Sequence, residues 1–312
     1  MPIVDKPIFT MLVGLPASGK STYAAWEWAI THSSDALRQE LYGDVNCQEK
    51  NADLFAILHQ RIKDDLRNGS DCIYDATNID KKKRTAFLAE LKNIPCHKKC
   101  IVFMTPYEVC LEQNQKRDRR VPEEVIRRMY LKWSPPNYAE GFDEIEIIYN
   151  YGDEATRLKY TVPYFFEGDN GIDNMSQENN HHTLSLGHHC KVASKYIEQK
   201  HPSNKLLQIA TLLHDIGKAE TKTTLNSRGV NDGNCHYYCH ENVSSYLSFF
   251  FTDCMGIGTK AQIYIANLIY YHMRPYTSWK QSEKAMKKNR DMIGASMFCD
   301  VMRLHEADVA AH

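Results

Sequence analysis

Apolar residues change their spacing roughly halfway along this chain. In the first half they come as short, nearly continuous runs: Ile8-Phe9-Thr10-Met11-Leu12-Val13, then Cys72-Ile73-Tyr74-Asp75, Cys100-Ile101-Val102-Phe103-Met104 and Ile145-Glu146-Ile147-Ile148. The first three runs predict strands buried on both faces of a parallel sheet, and the fourth closes the series. Helical signals stand between them. A helix is expected from Lys20, and Leu54, Ile57, Leu58, Ile62 and Leu66 recur at helical spacing up to Asn68-Gly69, a C-terminal cap signal. The alternation predicts an α/β domain with a doubly wound parallel sheet over residues 1–152. Residues 153–178 lose the pattern in the polar, Gly-punctuated stretches Glu167–Gly171 and Asn174–Asn180, and read as a linker. Beyond it only helical spacing remains, in Val192/Tyr196, Leu206/Ile209/Leu213, Val243/Leu247/Phe250 and Ile265/Leu268. Residues 179–312 are therefore expected to form an all-α domain.

Composition adds limits. Length 312 with 43% hydrophobic and 25% charged residues suits two soluble domains of ordinary size. The net charge of −1 supplies no chain-wide basic field, so a polyanion site would need a local stripe, such as Lys116-Arg117-Asp118-Arg119-Arg120 with Arg127 and Arg128. No run approaches the ~20 apolar residues of a membrane span. The first residues do not read as a signal peptide. Ten cysteines scattered over the chain favour a reducing, cytoplasmic setting, and Cys96/Cys100 and Cys235/Cys239 read as idle or buried thiols in preference to zinc half-sites.

Chemistry concentrates in two places. Gly14-Leu15-Pro16-Ala17-Ser18-Gly19-Lys20-Ser21-Thr22 is a P-loop between a buried strand and a helix start, where backbone N–H groups and the helix dipole meet phosphate. Lys20 would reach the β/γ-phosphates and Ser21 would bind Mg²⁺. Asp75, ending a buried strand, occupies the usual place of a Mg²⁺-ordering carboxylate, or caps a turn. In Ser33-Ser34-Asp35-Ala36-Leu37-Arg38, Asp35 can accept a proton from an attacking hydroxyl and Arg38 can grip an acceptor phosphate, or the pair is a helix cap and a surface charge. Arg117, Arg119 and Arg120 precede a helix marked by Pro122, Glu123 and Glu124 and stopped by Ser134-Pro135-Pro136. They suit a lid over transferred phosphate, or a solvated charge run.

The second place is His214-Asp215 in Leu212-Leu213-His214-Asp215-Ile216-Gly217-Lys218, at the end of an amphipathic helix, where partial negative charge suits a cation. Further ligands could come from His188 or His189, His236, His240, His272 and Asp308. Such imidazole and carboxylate shells suit Mn²⁺, Fe²⁺, Co²⁺, Ni²⁺ or Zn²⁺.

Two family resemblances follow. GLPASGKST, SSDALR, YDATN and NQKRDRRVPEEVIRRMY, in order over residues 8–135, resemble the 5′-polynucleotide kinase family. The resemblance implies Asp35 as general base, Arg38 as clamp on the acceptor's 3′ phosphate, Arg117 as lid contact to the transferred phosphate, and ATP or GTP with Mg²⁺ held by Gly14, Ser18, Gly19, Lys20, Ser21, Thr22 and Asp75. A second lid arginine is absent near Gln113, leaving Arg119 or Arg120 to substitute. HHTLSLGHHCKVA, LLHDIGK, HYYCHENVSSYL, YYHMRPY and LHEADVAAH resemble the HD phosphohydrolase superfamily over residues 181–312. That resemblance implies His189, His214, Asp215 and Asp308 as ligands of one metal, with His240 and His272 completing a second site. His188 competes with His189, since the LG-x-H-C context favours His189 and spacing to Val192 favours His188. Lys218 would neutralise substrate phosphate, and His182 or His236 would protonate a leaving oxygen.

Together the resemblances imply a bifunctional enzyme healing RNA or DNA strand ends, RNA above DNA. It would phosphorylate a 5′-OH, hydrolyse a 2′,3′-cyclic, 2′ or 3′ phosphate with one or two divalent metals, and hand the strand to an RNA ligase. In related kinases fused to HD modules the HD part comes first, whereas here it is second. The Asp-x-Asp-Gly-Thr motif of the phage enzymes' phosphatase is missing after residue 150. Two alternatives compete: a nucleoside kinase fused to a nucleotide phosphohydrolase, and a non-catalytic protein holding ATP and metal as structural ligands. Arg38 separates the first, because a free nucleoside lacks the phosphate it would clamp.

Overall fold

The N-terminal apolar run forms β1 (Ile8–Val13), the middle strand of a five-stranded parallel sheet ordered β2-β3-β1-β4-β5. The computed structural model describes residues 6–47, 49–169, 171–178 and 183–312. Following β1 are α1 (Lys20–Trp26), β2 (Ile30–Ser33), α2 (Ser34–Tyr42), α3 (Asn51–Arg67), β3 (Cys72–Asp75), α4 (Lys81–Glu90), β4 (His97–Met104), α5 (Tyr107–Gln115), α6 (Glu123–Leu131) and β5 (Glu144–Tyr149). Phe9, Met11, Leu12 and Val13 are buried, as are Ile73 and the run Cys100–Met104, so both sheet faces are covered as their continuous apolar pattern requires.

Strand β2 escapes the apolar-run rule. Its residues Ile30, Thr31, His32 and Ser33 are exposed or half-buried because the strand lies at the sheet's edge. Pairing Ser33 with Asp75 brings the chain into α2 at the same C-terminal edge of the sheet as β3's last residue. Ser33 then caps α2, its Oγ accepting from the Ala36 N–H. Behind the sheet, Arg84 and Glu140 form a fully buried bidentate ion pair, both bonds 2.8 Å, and Arg84 also donates to the Asn78 carbonyl.

The chain divides into two compact units, Met1–Ile126 with Pro136–Asn150, and Arg127–Pro135 with Tyr151–His312. Helix α6 thus starts in the first unit, and its residues from Arg127 onward count with the second. Residues 153–178, expected as a linker, instead hold α7 (Glu154–Leu158), α8 (Val162–Glu167) and a 3-10 turn at Ile172–Asn174. Thr156, Tyr160, Phe166 and Ile172 are buried, while Glu167 and Asp169 face solvent; isolated anchors of this kind leave no periodic signal.

The rest of the second unit is α9 (Leu186–Lys200), α10 (Lys205–Leu213), α11 (Lys218–Thr221), β6 (Thr223–Leu225), β7 (Asn231–His236), α12 (His240–Cys254), α13 (Thr259–Tyr271), α14 (Ser278–Gln281), α15 (Glu283–Ile293) and α16 (Ala295–Ala310). The all-α expectation needs one correction, the antiparallel hairpin β6–β7. Its strands are short and its Asn231, Asp232 and Gly233 exposed, so no buried apolar alternation marks it. Helices α9, α10, α12, α13 and α16 pack on one another around Leu186, Ala193, Leu207, Leu213, Val243, Leu247, Ile265, Leu268, Val301 and Leu304. Among the described residues no helix is long and apolar enough to cross a membrane.

Candidate functional site

The P-loop turns between β1 and α1. Gly14 N–H donates to the Thr77 carbonyl at 3.0 Å, and Thr105 Oγ1 donates to the Ser18 carbonyl at 3.2 Å, tying the loop to the segments after β3 and β4. A side chain at Gly14 would meet Ser18 Oγ at 2.7 Å and the Phe103 carbonyl at 3.0 Å, which explains the glycine. Lys20 lies inside the loop, donating from Nζ to the carbonyls of Gly14 (3.0 Å) and Leu15 (2.6 Å) and to Ser18 Oγ (3.2 Å). Burial lowers its pKa to about 8, and the nearby Asp75 carboxylate opposes that fall. Ser21 Oγ donates to Asp75 Oδ2 at 2.8 Å, so the two Mg²⁺-site candidates are brought together, and Thr22 is exposed beside them. The donor set, a hydroxyl and a carboxylate at a phosphate loop, fits Mg²⁺.

Asp35 stands in the first turn of α2. One carboxylate oxygen accepts from Arg38 Nη1 at 2.8 Å, and the other accepts from Arg119. Arg38 is buried, and its Nη2 donates to Asn51 Oδ1 at 2.8 Å. Arg38 is therefore no surface charge. Arg119 also reaches Asn46 Oδ1 and the Val45 carbonyl. Arg117 is half-buried, and its charge helps press Lys20's pKa down, while Arg120 is exposed. Of the two arginines proposed to replace the missing lid residue, Arg119 is the one beside Asp35.

The second unit gathers residues from five segments. His189 on α9, His214 and Asp215 after α10, and Asp308 on α16 place ligand atoms within 4.8 Å of one another, and Asp215 forms a second such group with His240 on α12 and His272 after α13. Asp215 is shared. Its Oδ2 lies 3.5 Å from His189 Nε2 and 3.4 Å from His214 Nε2, and its Oδ1 lies 3.2 Å from His240 Nε2 and 3.5 Å from His272 Nε2. Gly217 permits this approach, since a Cβ there would meet the Ser244 N–H nitrogen at 2.5 Å and the His240 carbonyl at 2.6 Å.

All four imidazoles are oriented alike. Nδ1 faces a backbone carbonyl in each: Ala311 for His189 (3.3 Å), Thr211 for His214 (2.7 Å), Tyr237 for His240 (2.8 Å) and Ile269 for His272 (2.6 Å). A carbonyl only accepts, so Nδ1 carries the proton and a neutral ring presents a bare Nε2 inward. His189 and His214 thus bring two Nε2 atoms within 3.4 Å, and His240 and His272 within 3.3 Å. Facing lone pairs repel unless a cation lies between them. This donor chemistry, in two groups that share Asp215, fits divalent transition-metal ions. Without a metal, protons fill that place: although burial opposes it, Asp215 and Asp308 raise His189 to about 9, and despite burial His214 and Lys218 draw Asp215 well below the usual carboxylate range, as His189 and His214 do for Asp308.

His188 is excluded from the cluster, bonded instead to Ser185 Oγ at 2.7 Å. Lys218 is buried, 2.7 Å from Asp215 Oδ2 and 2.9 Å from Gln177 Oε1. His236 pairs with Asp232 at 3.0 Å and does not join the ligands, and His182 lies outside the described residues. Two supporting residues went unnoticed in the sequence. Tyr276 Oη donates to Asp308 Oδ2 at 2.9 Å, and Gln177 holds Lys218. No spacing rule marks either. One further group, His32, Asp65 and Cys72, has a 2.9 Å hydrogen bond between His32 and Asp65 beside a thiol that burial pushes up to about 12, which opposes metal binding.

Residues 9–136 match the family model described as an AAA domain. The Arabidopsis thaliana protein named transcription factor bHLH140 is 24% identical over 188 residues, covering 55% of this chain and 20% of that protein. The L-seryl-tRNA(Sec) kinase of Methanococcus maripaludis is 26% identical over 148 residues, covering 43% of this chain and 55% of that protein. The chain thus spans between 20% and 55% of the length of these curated relatives. Among solved structures, the Pnkp1/Rnl/Hen1 RNA repair complex aligns at 20% identity over 40% of this chain and 43% of that chain, with a TM-score of 0.37. Over residues 9–136 the chain is therefore a kinase-like P-loop domain, matched by the AAA domain family.

Proposed function

We propose that this protein is a bifunctional healer of nucleic-acid ends, RNA above DNA. The first unit transfers a phosphoryl group from ATP or GTP to a 5′-OH. The second, an HD-type unit, hydrolyses a 2′,3′-cyclic, 2′ or 3′ phosphate. The observation that carries the reading is Asp215, whose two oxygens each face a pair of inward-pointing imidazole nitrogens. A site with two cations on one carboxylate is suited to phosphate-ester chemistry.

In the first unit, the P-loop N–H groups and Lys20 bind the triphosphate, and Ser21 and Asp75 hold its Mg²⁺. Asp35 orients the acceptor hydroxyl and takes its proton once one of its arginines turns to phosphate. Arg38 would grip the acceptor's own phosphate, and Arg117 and Arg119 would balance charge on the transferred group. In the second unit, His189, His214, Asp215 and Asp308 would hold one ion, and His240 and His272 with Asp215 would complete a second site. Bound metals would supply Lewis acidity and an activated water. Lys218 orients Asp215 and adds positive charge for the substrate phosphate, and His236 would serve a leaving oxygen only after parting from Asp232. The healed strand would then suit an RNA ligase.

The test offers one RNA with 5′-OH and 2′,3′-cyclic phosphate ends, with ATP or GTP, Mg²⁺, and separately Mn²⁺ or Ni²⁺. Lys20→Ala is expected to lose only 5′ labelling, and Asp215→Ala only 3′ processing. Full 3′ processing by Asp215→Ala would overturn the metal assignment. Efficient labelling of free nucleosides, with no gain from a 3′ phosphate on the acceptor, would favour a nucleoside kinase.

A further inference from the structure

A cleft of about 190 Å³ opens beside the metal-ligand candidate His240, between the start of α12 and the turn after α13. It is smaller than the roughly 300–1,000 Å³ pockets that hold drug-sized ligands, so it suits a single flat ring system with its attached sugar outside. Its walls include Tyr238 and Tyr270. Tyr238 is 45% exposed and is braced from behind by His236, whose ring stacks on it at 5.5 Å and 6°. Arg274 lies over the Tyr270 ring at 5.9 Å. Among the described residues no carboxylate pairs with its guanidinium, so the charge is held by an aromatic face and is available to an anion or a carbonyl edge. Glu241 supplies an acceptor at the same rim.

Aromatic faces, a guanidinium plane and an acceptor form the chemistry that stacks and reads an unpaired nucleobase. A simple sugar phosphate could use the guanidinium, but it would leave the Tyr238 and Tyr270 faces without a stacking partner and would be repelled by Glu241. We infer that this cleft is a base subsite: it takes the nucleobase of the nucleotide whose ribose phosphate lies at the His240/His272 side of the cluster. The inference rests on the hydrolase reading for the placement of that phosphate. The ligand class is a nucleoside bearing a 2′, 3′ or cyclic phosphate, presented by a strand end or as a mononucleotide.

The experiment uses the full chain and needs no turnover. A short oligoribonucleotide ending in 5-iodouridine 3′-phosphate, and separately 5-iodouridine 3′-monophosphate, is irradiated with the metal-free protein, and adducts are mapped by mass spectrometry. Adducts at Tyr238 or Tyr270 are expected, and the arm that gives more of them identifies strand end or mononucleotide as the source. Binding of the same oligonucleotide, labelled at its 5′ end, is followed by anisotropy. Tyr238→Ala, at a half-exposed position that should not disturb folding, and Arg274→Gln are each expected to weaken it about tenfold, in line with stacking contributions of single bases. An oligonucleotide whose last residue lacks a base should bind as weakly to wild type, and the two substitutions should not affect it further. Adducts confined to other segments, or equal binding of the abasic strand, would overturn the subsite. Hydrolysis of both probes by metal-loaded wild type is measured in parallel. Hydrolysis without cleft adducts rejects the subsite and leaves the hydrolase standing, whereas cleft adducts without hydrolysis by any metal reject the hydrolase.

Discussion

The P-loop and the His-Asp cluster are built by opposite means. The P-loop is made largely of backbone, in one contiguous stretch from Gly14 to Thr22, and its lysine is satisfied by its own loop carbonyls. The His-Asp cluster is made of side chains from five segments between His189 and Asp308, and its four inward imidazole nitrogens face one another in two pairs. A backbone site is held by hydrogen bonds to its own carbonyls and to neighbouring segments, as from Gly14 N–H to Thr77 and from Thr105 Oγ1 to Ser18. A side-chain site of like-polarity groups needs its cations to be at ease, so it should respond far more to single substitutions and to metal removal.

The largest effect expected from that contrast is at Asp215. Asp215→Ala removes the ligand common to both groups, so metal analysis of the purified protein should find both ions gone and 3′-end hydrolysis lost, with ATP affinity unchanged. Retention of two ions per chain would show that Asp215 does not bridge. Lys20→Ala should lower phosphoryl transfer by about a hundredfold or more, the scale on which preorganised charges act, while metal content stays at the wild-type level. A parallel fall in metal content would erase the independence of the two centres.

Glycine substitutions sharpen the comparison at the level of packing. Gly217→Ala forces a methyl against backbone of α12, which should cost about 1–3 kcal/mol in chemical denaturation and weaken metal binding as well. Gly14→Ala meets Ser18 Oγ first, a side chain that can rotate, yet also the Phe103 carbonyl. Its effect should fall mainly on nucleotide affinity, and a stability loss larger than that of Gly217→Ala would contradict the assignment.

The smallest effect is in proton linkage at Lys20. Its pKa is lowered to about 8 in the folded chain against the ordinary lysine value of 10.5. Between those values the unfolded chain binds more protons, so stability from this group rises with pH, and the cost of burying its charge is full below about pH 8. A bound triphosphate restores the charge. Nucleotide binding at pH 9 should therefore take up close to one proton more than at pH 7, measurable by calorimetry in buffers of different ionisation enthalpy. Lys20→Met should abolish the difference.

Residues differ in how far their roles can be read without the fold. Strand β1 is legible because burial on both faces demands an unbroken apolar run, and β1 covers the residues of the Ile8–Val13 run. Strand β2, at the edge, and the hairpin β6–β7, in solvent, bury too little to leave that trace. Lys20 and Ser21 are legible because their chemistry depends on neighbours a few positions away. His188 and His189 are adjacent on one helix, and only the direction each side chain takes separates them: His188 reaches Ser185, and His189 enters the cluster. Arg38 and Asp35 lie one helical turn apart, but Arg119, more than eighty positions on, joins them only through the fold.

Sequence alone therefore determined the P-loop, the buried parallel strands and the His-Asp pair, because each is set by local periodicity or by contiguous groups. The tertiary structure decided which imidazoles point inward, that Asp215 serves two groups at once, that Arg119 and not Arg120 meets Asp35, and that residues 153–178 pack as short helices. Those outcomes depend on how helices far apart in the chain approach and turn toward one another, and that approach follows from side-chain volume and close contacts such as Gly217 against α12, which no one-dimensional pattern encodes.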